Sequence, residues 1–309
     1  MRPRLTRAHA ALLAGLVLAV APGVAGAHGG AEGESWGTVW GAWSFAPAVV
    51  LGLAAAGTAY AVGLRRLWAS AGTGHGIARW RAACFALGLA ALALAVLSPL
   101  DVLADALFAG HMAQHLLLMM VAAPLLVLGD PGRATLWALR LEDRRRAGRT
   151  WSRARHSMWG GVALHPLAAV AAYAGVLWMW HLPALYEAAA ASALVHDLEH
   201  GTMLSAAPLF WWHVVRVAEG EPARQALVLP LVIGVMLPSM ALGAILSFAG
   251  SPWYAAHEAS AAWGLARATD QQVGGLLMLM PATLVHLGVL GIVFARLARA
   301  SGARAVHAP

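Results

Sequence analysis

Apolar stretches of about twenty residues alternate along this chain with short breaks rich in Gly, Pro and Arg. At 1.5 Å per residue, about 20 residues cross the roughly 30 Å hydrocarbon core of a bilayer. Segments 44–64, 82–99, 107–129, 161–180, 196–215, 226–249 and 271–295 meet that length. They predict an all-α integral membrane protein, a bundle of seven transmembrane helices. Pro124, Pro208, Pro238 and Pro281 fall inside these segments and predict kinks.

The first residues follow a different pattern. Arg2, Arg4 and Arg7 precede an apolar run, then Pro22 and Gly23, and Ala25-Gly26-Ala27 supplies small residues at a cleavage position. This reads as a signal peptide over 1–27, leaving His28 as the mature N-terminus. The alternative is an uncleaved anchor that adds an eighth helix. A short extracytoplasmic segment, 28–43, then leads into a membrane domain, 44–295, and a cytoplasmic tail, 296–309.

Composition agrees with a membrane protein. Of 309 residues, 60% are hydrophobic and 11% charged, against about 25% charged in soluble domains. Mean hydropathy is +0.67. The net charge of +7 comes from arginine alone, since the chain has no lysine. Arg65, Arg66, Arg79, Arg81, the Arg144-Arg145-Arg146 run, Arg216, Arg224, Arg296 and Arg299 all fall in alternate breaks; the opposite breaks hold Arg267. That asymmetry orients the mature N-terminus outward and the C-terminus to the cytoplasm, and it points to lipid rather than nucleic acid. Tryptophans 36, 40, 43, 180, 253 and 263 gather on the outward side, as an interfacial belt does. A single cysteine, Cys84, excludes disulfide frameworks and CxxC motifs.

Candidate chemistry lies in the histidines. His111/His115 and His196/His200 are each four residues apart, so each pair shares a helix face. Ionisable groups at membrane depth are read as functional, and both pairs fall in the outer third of their segments. Met119 and Met203 continue the two faces, Met112 adjoins His111, and Asp270, Gly274 and Met278 form a further row. Imidazole with thioether favours copper, Cu(I) especially, whereas imidazole alone equally suits zinc, iron or nickel. Asp197 and Glu199 are placed to orient the imidazoles, and Glu199 also to ligate or take a proton. His181 and His257 stand at outer helix ends as candidate ligands at the mouth. His165, His213 and His286 lie towards the inner side.

One ordered set of motifs carries a family likeness: His111-Met112-Ala113-Gln114-His115; Ala123-Pro124-Leu125-Leu126; Trp180-His181-Leu182-Pro183 with Tyr186; Val195-His196-Asp197-Leu198-Glu199-His200; Phe210-Trp211-Trp212; and Asp270-Gln271-Gln272-Val273-Gly274-Gly275. The set, across about residues 40–295, resembles the multi-span CtaG family of cytochrome c oxidase assembly factors. The resemblance implies a bacterial plasma-membrane protein, non-enzymatic, that helps insert copper into the catalytic subunit of a haem–copper oxidase. It maps that role onto His111, His115, His196 and His200, with His181 and Asp270. The residues alone leave two alternatives open: a di-iron or zinc hydroxylase-like enzyme using Glu199, and a b-type haem protein.

Overall fold

The computed structural model describes residues 35–306, and among them every regular element is helical. The expected signal peptide and His28 lie outside the described residues. The chain runs through α1 (Pro47–Ala71), α2 (Arg79–Leu97), α3 (Pro99–Ala106) and α4 (Phe108–Leu128). Short α5 (Pro131–Ala138), α6 (Leu141–His156) and α7 (Met158–Ala163) follow, then α8 (Pro166–Trp180) and α9 (Pro183–Ala191). The chain continues with α10 (Ala193–Ala218), α11 (Pro222–Gln225), α12 (Val228–Ser247) and α13 (Arg267–Val306). Proline opens α1, α3, α5, α8 and α9, where its missing N–H costs nothing and its fixed φ suits the first turn.

Helices α1, α2, α4, α12 and α13 are each long and apolar enough to cross a membrane. Leu51, Leu87, Ile245, Leu284 and Phe294 on these helices are exposed. Such an apolar outer wall has lipid as its solvent, so this is a multi-pass membrane protein. Two of the seven expected spans take another form. In segment 161–180 the helix begins only at Pro166, and the resulting 15 residues of α8 are too short alone. It pairs with α9 across a 73° bend, which makes a sixth candidate span. In segment 196–215, α10 has 26 residues, ample for a crossing, but its polar side chains dilute its hydropathy. His196, Asp197, Glu199 and His200 are buried, facing protein rather than lipid. The last helix continues to Val306, through the stretch expected as a tail.

Helix α4 is the axis of the bundle: 61% of its most apolar window is buried, against 22–39% in the other four spans. It packs against α2, α3, α10 and α13. Its middle, Leu117–Ala122, is a π-helical turn. Pro124 accounts for one consequence of that turn. A π turn bonds i to i+5, but Pro124 has no N–H to return to the Met119 carbonyl. The indole of Trp211 on α10 donates to that carbonyl instead, at 2.8 Å. Pro208, Pro238 and Pro281, by contrast, lie within continuous helices. Helices α12 and α13 meet at Gly243 and Gly275, where a Cβ on Gly275 would lie 2.6 Å from Ser247 N and 2.8 Å from Gly243 O.

The arginine-bearing ends come together. Arg81 reaches the Leu128 carbonyl at 3.0 Å and pairs with Glu219; Arg66 reaches the Ala138 carbonyl, and Arg296 the Ala218 carbonyl. The histidine pairs sit towards the opposite end of the same bundle.

Candidate metal centre

The site begins with how α4 starts. Asp270, in the first turn of α13, accepts from Phe108 N at 2.8 Å and Ala109 N at 2.9 Å. The first amides of a helix have no intrahelical partner, so a carboxylate from another helix fixes where α4 begins. His111 follows one turn later. The sequence set Asp270 in a row with Gly274 and Met278, and the resemblance joined it to the histidines; the structure commits both its oxygens to backbone N–H groups.

The two histidine pairs converge. Ring centroids are 4.2 Å apart for His111/His115 and 4.1 Å for His196/His200. Across the helices, His111 lies 5.5 Å from His196, and His115 lies 5.3 Å from His200. Glu199 stands between them, with Oε1 3.5 Å from His111 Nε2 and 3.6 Å from His115 Nε2. Its side chain is 0% exposed, and neither carboxylate oxygen makes a hydrogen bond. His115 is likewise buried, and neither of its ring nitrogens makes a hydrogen bond. Holding an ionised carboxylate so placed is costly unless a cation or a proton joins it.

The donor set fits a metal ion. Bonds of 2.0–2.1 Å to a tetrahedral ion put neighbouring donors about 3.3 Å apart, close to the observed imidazole–carboxylate separations. One ligand atom each from His111, His196 and Glu199 lie within 4.8 Å of one another. Glu199, read from sequence as an orienting group, a ligand or a proton acceptor, stands among the imidazoles as a ligand would. Asp197 is buried on the same helix. The i, i+2 alternation His-Asp-Leu-Glu-His does not separate the two carboxylates; only the packing of α10 on α4 does.

A cavity of about 350 Å³ leads to the cluster, lined by His111, His196, Tyr186, His257 and the exposed end of α9 at Ala190 and Ala191. Tyr186 Oη and His257 Nε2 lie 2.6 Å apart at its wall, tying α9 to the loop before α13. Burial lowers the His257 imidazole to about 4, so it is neutral there. His181 occupies the α8–α9 corner that Pro183 imposes. Its Nδ1–H donates to the Leu177 carbonyl at 2.7 Å, and its own carbonyl accepts from Tyr254 Oη at 2.9 Å. His181 Nε2 lies 3.2 Å from Met112 Sδ, so this histidine faces sulfur, while its ring stands 6.4 Å from that of His115.

The expected methionines divide. Met119 shares a second cavity with His115 and His181. Met203 is 0% exposed in the apolar core and lines neither cavity. His286 stacks on Trp211 with centroids 6.0 Å apart, deeper in the bundle.

Compared with known proteins, residues 58–300 match the family model of the cytochrome c oxidase caa3 assembly factor. No curated protein and no solved structure matches the chain.

Proposed function

The chain belongs to the cytochrome c oxidase caa3 assembly factor family, and from that premise we propose that it is a copper-handling protein serving the oxidase. Copper is its cargo, held by His111, His115, His196 and His200 around Glu199 and passed to the catalytic subunit by ligand exchange. The observation that carries this is the buried Glu199 carboxylate, without a hydrogen bond, 3.5 and 3.6 Å from two imidazoles on another helix. In this reading α10 is a seventh crossing whose polar face is satisfied by the bundle. The arginine-rich end faces the cytoplasm of a bacterial plasma membrane, so the cavity opens outward, where thiol ligands are prone to oxidation. The protein acts without catalysis.

The test is a strain carrying His115→Ala and His200→Ala. Oxidase activity and oxidase copper content fall at limiting copper and recover when copper is raised. Normal activity at limiting copper would sink the proposal. Glu199 among imidazoles also favours a second reading, a metal-dependent enzyme in which the carboxylate takes a proton from bound water. Stoichiometric iron or zinc in protein purified from membranes would support that reading instead.

A further inference from the structure

Further along α4 lies a smaller cavity of about 30 Å³, lined by Met112, Met119, Met120 and Met278 with His115 and His181. Methionine is ordinary core filler, so the thioethers alone decide nothing. His181 changes the balance. A carbonyl only accepts, so the 2.7 Å bond to Leu177 O puts the proton on Nδ1 and leaves the Nε2 of the neutral ring with a lone pair. That lone pair meets Met112 Sδ at 3.2 Å. Two electron-pair donors thus face each other in an apolar setting, at about the separation they have on one ion. Gly274 makes room for the arrangement: a Cβ there would lie 2.3 Å from the Phe108 ring and 3.2 Å from Met112 Cγ.

His115 provides the second observation. It is 4% exposed and neither ring nitrogen makes a hydrogen bond, yet it lines this cavity while Nε2 lies 3.6 Å from Glu199 Oε1. It belongs to both places. The cavity is far smaller than the outer one, about 30 against 350 Å³, and its lining is mostly apolar. No carboxylate lines the cavity, and thioether with imidazole selects soft ions.

We infer that the pocket bounded by Met112, Met119, Met120, Met278 and His181 is a second metal site, selective for a soft monovalent ion such as Cu(I), with His115 shared between it and the imidazole–carboxylate cluster. The cluster then receives ions from the outer cavity, and the sulfur pocket holds Cu(I). This deepens the copper reading and takes the identity of the natural ion from it.

The test uses full-length protein purified in detergent, titrated with Ag(I) and separately with Zn(II), with X-ray absorption at the silver edge. In the wild type, Ag(I) is expected to show sulfur ligands. Met112→Leu/Met278→Leu, a volume-conserving change, is expected to lose that sulfur signal and weaken Ag(I) binding at least about tenfold, with Zn(II) binding unchanged. His196→Ala/Glu199→Gln should do the reverse, losing Zn(II) and keeping sulfur-bound Ag(I). Nitrogen-only silver in the wild type, or an unweakened methionine variant, overturns the second site. Failure of the cluster reading looks different: Zn(II) and copper do not bind at the cluster while sulfur-bound Ag(I) persists.

Discussion

Glu199 Oε1 on α10 faces His111 Nε2 on α4 across 3.5 Å, so the two helices that carry the histidine pairs are joined by a buried acid–base contact. Such a contact has opposite consequences for stability and for metal binding.

Glu199→Gln keeps the shape and removes the charge. The metal-free variant should melt at the same temperature as the wild type or higher, because a desolvated carboxylate is costly to hold in place. Its affinity for Zn(II) or copper should fall roughly 10–100-fold. Thermal melts with and without metal, together with chelator competition, measure both; a variant that is less stable and binds normally contradicts the assignment.

Asp270 acts at a distance from the imidazoles. Removing its carboxylate leaves the Phe108 and Ala109 amides buried and unpaired, so Asp270→Ala should cost about 1–3 kcal/mol. Asp270→Asn retains one accepting oxygen and should lose less. Metal affinity should fall in the same order, since His111 rides on the turn that these bonds anchor. Melting temperatures and metal titrations of the pair decide it, and equal behaviour of the two variants counts against the anchor.

The α12–α13 contact should be as sensitive. Gly275→Ala places a methyl 2.6 Å from Ser247 N, which forces the helices apart and should destabilise by about 1–3 kcal/mol. Gly288→Ala, with nothing within 4 Å of the added atom, is the internal control, expected within about 0.5 kcal/mol of wild type. Detergent melts of both variants make the comparison.

What the sequence disclosed follows from which signals are local. Apolar length locates α1, α2, α4, α12 and α13, because lipid exposure demands an unbroken apolar surface. The four-residue spacing of His111/His115 and His196/His200 puts each pair on one face, as observed. The sequence offered Glu199 as a ligand or proton acceptor as well as an orienting group; the packing of another helix is what sets it apart from Asp197. The anchoring bonds of Asp270 were not legible for a related reason: its partners are backbone amides more than 160 residues away in sequence. The α8–α9 corner was written in Pro183, although apolar length alone places a straight span there.

Met203 is the expected ligand that the packing supports least. It follows His200 by three residues, yet it is enclosed in the apolar core. Met203→Leu should leave metal stoichiometry and coordination unchanged and shift stability by less than about 1.5 kcal/mol. X-ray absorption of the metal-loaded variant checks this: loss of a sulfur ligand would return Met203 to the site.

The widened turn at Leu117–Ala122 divides α4 into an upper half that carries the histidines and a lower half whose Leu126 backbone sits hard against Gly88. Inserting or deleting a residue in the ordinary helix outside that turn would swing everything beyond it by about 100°. Leu126 would leave its groove, and Gly129 would lose its tether to Tyr60. This crossing can be rewritten side chain by side chain, but its length is not free to change.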